Sequence, residues 1–280
     1  IMFTSMILAV VLGIIALTRN RERSWMVWLF MVPVLTLVIA GLFLLVERYK
    51  YSKGVGEVLT PDVTMPQKAV IFDDDGSPDG TSALLYLLSE PRANVMVVSV
   101  SYGEAHPQVY IQHLGLMLER NGYGNIALGE GQDAPLTGNN SFPDHVRIAS
   151  NEFWGFPGAD TNQKYPVEES AELIVKTIME SNEPITLLVS GALTNLALAL
   201  RLEPDIRDAI AGIFIMGGAV HVPGNLNDLL PDTKNIVAEW NIYADPQAAS
   251  EVFASGVKLY LVPLDATSQV NLTRQDTSMW

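Results

Sequence analysis

The sequence predicts an α/β domain built on an open, mostly parallel β-sheet with helices on both faces, preceded by two transmembrane helices. Three observations support this fold class. Five apolar runs rich in Val, Ile and Leu lack polar alternation, as strands buried on both faces do. Helical stretches separate these runs, and such alternation is typical of parallel sheets. Two long uncharged segments stand before the first run.

Composition excludes several classes of function. The chain has 280 residues, is 49% hydrophobic and contains no cysteine, which excludes disulfides, thiolate metal sites and a Cys nucleophile. The net charge is −14, with +3 in residues 1–60 and −17 in residues 61–280. Because a surface this acidic repels the phosphate backbone of nucleic acids, we expect no polynucleotide partner. A small neutral ligand or a cation fits better.

The N-terminal apolar segments, about residues 1–17 and 25–46, predict two transmembrane helices within residues 1–50. The second runs 22 residues without a charge, and about 20 apolar residues span a bilayer. A pair of buried core helices is the alternative, but neither segment has a polar face. Three Lys or Arg residues flank the second segment on each side, so the positive-inside rule does not decide the orientation. We favour an extracytoplasmic domain.

Residues 51–67 are predicted to be a linker, and residues 68–280 a domain of alternating strands and helices. Residues 135–165 are rich in Asn, Gly and Pro, which predicts a functional or mobile loop. The predicted strands are AVIFD (69–73), NVMVVSVS (94–101), ITLLVS (185–190), AGIFIMG (211–217) and VKLYLVPLD (257–265). The predicted helices are TSALLYLLSE, PQVYIQHLGLMLERNG, VEESAELIVKTIMES, TNLALALRLEP and PQAASEVFASG.

Four aspartates follow the first predicted strand in KAVIFDDDGSPDG, where ligands of such folds bind. Helix capping by Ser77 or Asp79 would account for one polar side chain. A D-x-D sequence after a strand also resembles the phosphotransferase nucleophile of the haloacid dehalogenases. The third alternative is a hard-cation site, in which Ca²⁺ or Mg²⁺ offsets the repulsion between converging carboxylates.

Five motifs together resemble the inosine–uridine-preferring nucleoside hydrolases. The aspartate stretch is similar to the family's D-x-D-P-G-x-D-D signature. Four further motifs follow in the family's order, so that the resemblance covers roughly residues 68–272. They are LLVSGALTNLALALRLEP, IFIMGGAVHVPGN, AEWNIYADPQAA and LVPLDATSQV. The dehalogenase alternative fits these later motifs poorly.

The resemblance implies a calcium-dependent glycosidase, with Mg²⁺ as a second candidate, that releases ribose and free base from a ribonucleoside, as in purine and pyrimidine salvage. Such hydrolysis passes through an oxocarbenium-like state and needs an activated water. The resemblance implies that Asp75 is the general base. It implies a metal site formed by Asp73, Asp75, Asp79 and the carbonyl oxygen of Ser190. The residues that it implies at the substrate are Asp79, Met216, Asn225, Glu239 and Asn241. The partner is a small nucleoside, and a homo-oligomer is compatible with the family.

Three departures from the family pattern bear on activity. Gly80 replaces the last aspartate of the signature, which the family uses as a metal ligand. Its loss should weaken calcium binding unless Asp74 or a nearby group substitutes, and we expect Gly80→Asp to tighten that binding. Glu104 stands where the family commonly has Asn, and we assign it to the substrate side. No His-Asp pair follows, so we expect the chain to be part of a longer protein. The alternative function is a weak or inactive membrane-tethered protein that binds a nucleoside or sugar.

Overall fold

The computed structural model describes residues 66–156 and 164–270. Seven strands in these ranges form one sheet, and every neighbouring pair is parallel. In chain order they are β1 (Lys68–Asp74), β2 (Ala93–Val100), β3 (Ala127–Glu130), β4 (Glu168–Glu169), β5 (Ile185–Val189), β6 (Ile210–Met216) and β7 (Leu259–Val262). Across the sheet the order is β4-β3-β2-β1-β5-β6-β7.

The helices of the described ranges lie between and after these strands. They are α1 (Pro78–Ser89), α2 (Pro107–Arg120), α3 (Asp144–Asn151), α4 (Ser170–Glu180), α5 (Thr194–Leu202), α6 (Trp240–Ala244), α7 (Pro246–Phe253) and α8 (Leu264–Thr267). Short 3-10 segments occur at Phe153–Gly155, Pro204–Ala209 and Leu226–Asp228.

Strand β1 lies at the centre of the sheet and marks the point where the direction of winding reverses. The chain adds β2, β3 and β4 on one side of β1 and then returns to place β5, β6 and β7 on the other. Asp73 of β1 lies level with Ser99 of β2 and Val189 of β5. In open α/β sheets the crevice at such a reversal, beyond the carboxyl ends of the strands, is the usual ligand site.

Helices cover both faces of the sheet, as the sequence predicts. Ile71 packs with residues of β5, β6, α4, α5 and α7, whereas its neighbour Phe72 packs with β2, α1 and α2 on the opposite face. Both side chains are fully buried, because successive residues of a strand point to opposite faces and here each face is covered. A third apolar cluster, which includes Phe142 and Trp240, packs among the segments that follow the strands.

The sequence analysis missed two strands, β3 and β4, and three helices, α3, α6 and α8. The last predicted strand (257–265) ends at Val262 instead, and its final two residues, Leu264 and Asp265, begin α8. Strands β3 and β4 are only four and two residues long, too short for a recognisable apolar run. Helix α3 lies inside residues 135–165, which were predicted to be irregular. The helix predicted at residues 167–181 begins at Ser170 instead, because Glu168 and Glu169 pair with β3.

The two predicted transmembrane segments and the linker up to residue 65 lie outside the described residues. Within residues 66–156 and 164–270, no helix is both long and apolar enough to cross a bilayer.

Candidate active site

The chain turns sharply where β1 ends, and this turn carries the aspartates. Asp73, Asp74 and Asp75 are almost fully buried, each with 2% exposure or less. Gly76 follows with a φ of +94°, a backbone conformation that side-chain-bearing residues rarely adopt. Ser77 then caps α1, since its hydroxyl accepts a hydrogen bond from the Gly80 amide at 2.9 Å. The capping role predicted for Ser77 is confirmed.

Asp73 bonds to residues of β2 and α5. Its Oδ1 accepts hydrogen bonds from the Ser99 hydroxyl at 2.5 Å and the Asn195 amide at 2.8 Å. Its Oδ2 is buried and has no partner among the described residues. Burial raises the pKa of Asp73 to about 6, although both hydrogen bonds act to lower it. Asn195 therefore ties α5 to β1 and does not cap its helix.

Asp74 lies against the start of α1. Its Oδ1 accepts a hydrogen bond from the Ser190 hydroxyl at 2.7 Å, and its Oδ2 accepts one from the Gly76 amide at 2.9 Å. Burial raises the pKa of Asp74 to about 7, against these two hydrogen bonds, and the charges of Asp79 and Asp73 raise it further.

Asp75 is the aspartate of the buried triplet that lines a cavity. Its Oδ2 accepts a hydrogen bond from the Glu104 amide at 3.3 Å. Gly103 and Gly191 close in on either side, since a Cβ at either would lie within 3.0 Å of Asp75. Burial, and then the charges of Glu104, Asp74 and Asp79, raise the pKa of Asp75 well above its usual range. Burial also raises the pKa of Glu104 to about 8.

A cavity of about 240 Å³ opens beyond the carboxyl ends of β1, β5 and β6. Carboxylates, amides and apolar side chains share its wall. The lining residues are Asp75, Ser77, Asp79, Glu104, Phe142, Ser190, Met216, Asn225, Asp228, Leu229, Glu239, Trp240 and Asn241. Every residue that the sequence analysis assigned to the substrate is among them. Of the residues assigned to the metal, Asp73 alone is not.

The wall of the cavity that carries Glu239 is held by backbone amides. Glu239 caps α6: its carboxylate accepts hydrogen bonds from the amides of Asn241, Ile242 and Gly218 at 2.8–3.1 Å. Burial raises the pKa of Glu239, and the three amides oppose this. Glu239 stands immediately before α6, and Asn241 lies inside that helix.

Asn241 joins the ends of two strands. Its amide nitrogen donates to the carbonyl oxygens of Ser190 at 3.2 Å and Met216 at 3.1 Å, which follow β5 and end β6. Asn225 accepts a hydrogen bond from the Trp240 amide at 3.1 Å. These contacts fix the positions of the polar residues on this wall before any ligand binds.

Several residues that support the site were not found from the sequence. The Gly76 carbonyl accepts hydrogen bonds from the Ser150 hydroxyl at 2.6 Å and the Trp154 indole at 3.1 Å. These bonds attach α3 and the segment after it to the aspartate turn. Phe142 stacks on Trp240 with ring centroids 4.3 Å apart. No motif or periodicity marks these residues, because each contact joins positions far apart in the chain.

The donor atoms at this site suit a hard cation. The polar groups around the cavity are carboxylates, carbonyls, amides and a hydroxyl, and oxygen ligands are what Ca²⁺ and Mg²⁺ bind. The Oδ2 of Asp73 is buried and has no partner among the described residues, but Asp73 does not line the cavity. In the part of the chain that the structure describes, no three His, Asp or Glu side chains are grouped closely enough to hold a metal ion. A cation here would need carbonyl or water oxygens as well.

Comparison with known proteins gives consistent matches. A family model described as "inosine-uridine preferring nucleoside hydrolase" matches residues 70–280. The pyrimidine-specific ribonucleoside hydrolase RihA of Citrobacter koseri is 32% identical over 211 residues, which cover 74% of this chain and 64% of the relative. The chain thus spans about 64% of the length of the curated relatives it matches.

Solved structures give the same result. A plant nucleoside hydrolase, PpNRh1, superimposes with a TM-score of 0.67 at 29% identity, covering 76% of this chain and 65% of that one. A purine-preferring ribonucleoside hydrolase from Gardnerella vaginalis also gives a TM-score of 0.67, at 27% identity, covering 76% of this chain and 66% of that one. The fold and the family match therefore agree with the sequence-based expectation.

Proposed function

Because the chain belongs to the inosine-uridine preferring nucleoside hydrolase family, we propose that it hydrolyses the N-glycosidic bond of a ribonucleoside or a related N-riboside. The products are ribose and a free base. One observation carries the proposal: a single cavity at the reversal point of the sheet places the buried carboxylate of Asp75 in one lining with the Asn225, Glu239 and Asn241 side chains. Hydrolysis of a glycosidic bond needs both kinds of group.

Asp75 is the proposed proton acceptor for the attacking water. It lines the cavity, and its carboxylate accepts a hydrogen bond from the Glu104 amide. Gly103 and Gly191 lie so close to Asp75 that a Cβ at either position would overlap it. A fixed carboxylate within reach of water is the usual form of a general base. As the water gives a proton to Asp75, its oxygen bonds to the anomeric carbon and the bond to the base breaks. The base leaves with the electron pair of that bond and takes up a proton from solvent.

The other polar residues of the cavity are proposed to hold the ribose. Asp79, Glu239, Asn225 and Asn241 offer acceptors and donors for its hydroxyls, and Met216 offers an apolar contact. Glu104 is placed to add a further acceptor beside Asp75. Fixing the sugar in this way aligns the scissile bond with the water and stabilises positive charge as it develops on the ring.

A divalent cation, calcium first and magnesium second, is proposed as the cofactor. Asp75, Asp79 and the carbonyl oxygen of Ser190 are the lining groups that would hold it. When bound, such an ion lowers the pKa of a coordinated water towards neutrality.

The base preference is open to experiment, because the relatives differ: RihA of C. koseri is named as pyrimidine-specific and the G. vaginalis enzyme as purine-preferring.

Attachment to a membrane through residues 1–17 and 25–46 is also proposed, from their length and lack of charge. Carbonate extraction of membranes tests the attachment, and protease protection of residues 66–270 tests the side on which the domain lies.

The test of activity uses the full chain in mild detergent. Ribose release from inosine and from uridine is followed with chelator and with added Ca²⁺ or Mg²⁺. We expect release that the chelator abolishes and Ca²⁺ restores. Asp75→Asn should reduce turnover by about 10²- to 10⁴-fold. Asp208→Asn, which removes an exposed carboxylate on the Pro204–Ala209 segment, is the matched control and should not change turnover.

Two results would contradict the proposal. Full turnover in Asp75→Asn would remove Asp75 as the base. No ribose release from any purine or pyrimidine nucleoside, with nucleoside still bound, would favour the tethered binding protein instead.

A further inference from the structure

Asp74 occupies the space that a side chain at position 80 would fill. An ideal Cβ built on Gly80 would lie 2.7 Å or less from all three carboxylate atoms of Asp74. Atoms at such distances overlap, so this position of Asp74 requires glycine at residue 80. Because Gly80 lies in the first turn of α1, the carboxylate fills a gap in the helix surface that glycine alone leaves open.

The Asp74 carboxylate is fixed next to the cavity. Ser190, whose hydroxyl donates to Asp74 at 2.7 Å, itself lines the cavity, and its carbonyl oxygen accepts from Asn241. The charge of Asp74 acts on two acidic residues of the lining, Asp75 and Glu104. Asp74 therefore belongs electrostatically to the same site.

Among the described residues, no opposite charge pairs with the carboxylate of Asp74. Within residues 66–156 and 164–270, no ion pair with Lys, Arg or His reaches Asp74 or its two neighbours in sequence. Burying one carboxylate without a counter-charge is unfavourable, and here three adjacent ones are buried. A bound divalent cation would supply the missing positive charge.

We propose that Asp74 is a cation-facing carboxylate of this site, and that residue 80 is glycine because Asp74 occupies the space of its side chain. This inference rests on the proposed function, since the cation is the one that the proposed reaction uses. It corrects the expectation that Gly80→Asp adds a ligand: on its own, this substitution would place an aspartate side chain on top of Asp74.

The first experiment measures calcium binding directly by titration calorimetry on the full chain in detergent, stripped of metal by chelation. Asp74→Asn keeps the size of the side chain and removes the charge. We expect it to weaken calcium binding by about 10- to 100-fold. Asp208→Asn removes an equal charge at an exposed position and should change the affinity less than about twofold.

The second experiment moves the carboxylate from one position to the other. Asp74→Ala alone should lose calcium binding as Asp74→Asn does. Adding Gly80→Asp to Asp74→Ala should restore most of the affinity, because the vacated space then accepts the new side chain. Adding Gly80→Ala instead fills the same space without a carboxylate, and this matched variant should restore nothing.

The outcomes separate this inference from the proposed function. Wild-type affinity in Asp74→Asn, or a wild-type chain that binds neither Ca²⁺ nor Mg²⁺, would overturn the role of Asp74 even if ribose is released. No ribose release from a wild-type chain that binds calcium through Asp74 would overturn the proposed reaction and leave the inference standing. Equal calcium affinities in the two double variants would also overturn the role of Asp74.

Discussion

Gly80→Ala tests whether Asp74 and residue 80 share one space, because the two relevant effects have opposite signs. Residue 80 lies in α1, and alanine in a helix is usually about 0.5–1 kcal/mol more stable than glycine. If the space above Gly80 were empty, Gly80→Ala would therefore stabilise the protein. The structure instead places the Asp74 carboxylate there.

The expected cost comes from displacing that carboxylate. Moving it breaks the hydrogen bonds from the Ser190 hydroxyl and the Gly76 amide, and hydrogen bonds to a charged group contribute about 1.5–3 kcal/mol each. Two of them, less the helix gain, give a net loss of about 2–5 kcal/mol in the free energy of unfolding.

Urea denaturation of the full chain in detergent, followed by circular dichroism, measures this loss. Gly124→Ala is the control, since a Cβ there meets its nearest atom at an ordinary 3.5 Å, and its effect should stay within about 1 kcal/mol. In the background of Asp74→Ala, Gly80→Ala should cost much less, because nothing is left to displace. A Gly80→Ala protein as stable as the wild type would refute the argument.

Three further predictions concern the same domain. Glu239→Gln should lower the free energy of unfolding by about 1–3 kcal/mol. The reason is that a side-chain amide has one acceptor oxygen and cannot accept from all three backbone amides, those of Asn241, Ile242 and Gly218. Urea denaturation measures this loss, and an unchanged midpoint would contradict the prediction. Asp245→Ala should lower the free energy of unfolding by about 3 kcal/mol or more, because buried Asp245 caps α7 and also accepts hydrogen bonds from Thr194 and Leu136. The control Asp208→Ala should change that free energy by no more than about 0.5 kcal/mol. In chelator the protein should be more stable at pH 5.5 than at pH 7.5. The folded-state pKa values of Asp73 and Asp74 are raised to about 6 and about 7, so this part of the stability is complete below about pH 4 and is lost as the pH rises through those values. Saturating Ca²⁺ should remove or reverse the trend, and a protein that loses stability on acidification in chelator would contradict it.

The central part of the fold could be predicted from the sequence because its strands are long and apolar on both faces. Strands β1, β2, β5 and β6 all show this pattern, and their parallel arrangement follows from the helices between them. The edge strand β4 could not be predicted, because two glutamates carry no strand signal. Its position depends on pairing with β3, which only the folded chain reveals.

The residues of the candidate site could be listed from motifs, but their arrangement could not. The sequence brought Asp75, Asn225 and Glu239 into one list, and the structure places all three around one cavity. It also suggested that Asp73 and Asp75 act together, yet Asp73 bonds inward to Ser99 and Asn195. The different partners of Asp73 and Asp75 depend on the direction in which each side chain leaves the turn at the end of β1. Two residues of the same type so close in sequence do not reveal this direction.

The position of β1 between β2 and β5 has a consequence for the newly synthesised chain. Asp74 and Ser190, which bond in the finished site, are separated by 116 residues. At usual rates of translation the ribosome needs about 6 to 23 s to make that length. During this interval β1 can pair with β2. Its other edge has no partner strand, and the aspartate turn lacks its contact with Ser190, until β5 has been synthesised. A nascent chain arrested before β5 emerges should therefore have secondary structure but lack the proposed cation site. If the proposal is correct, the onset of calcium binding would show that β5 has joined the sheet.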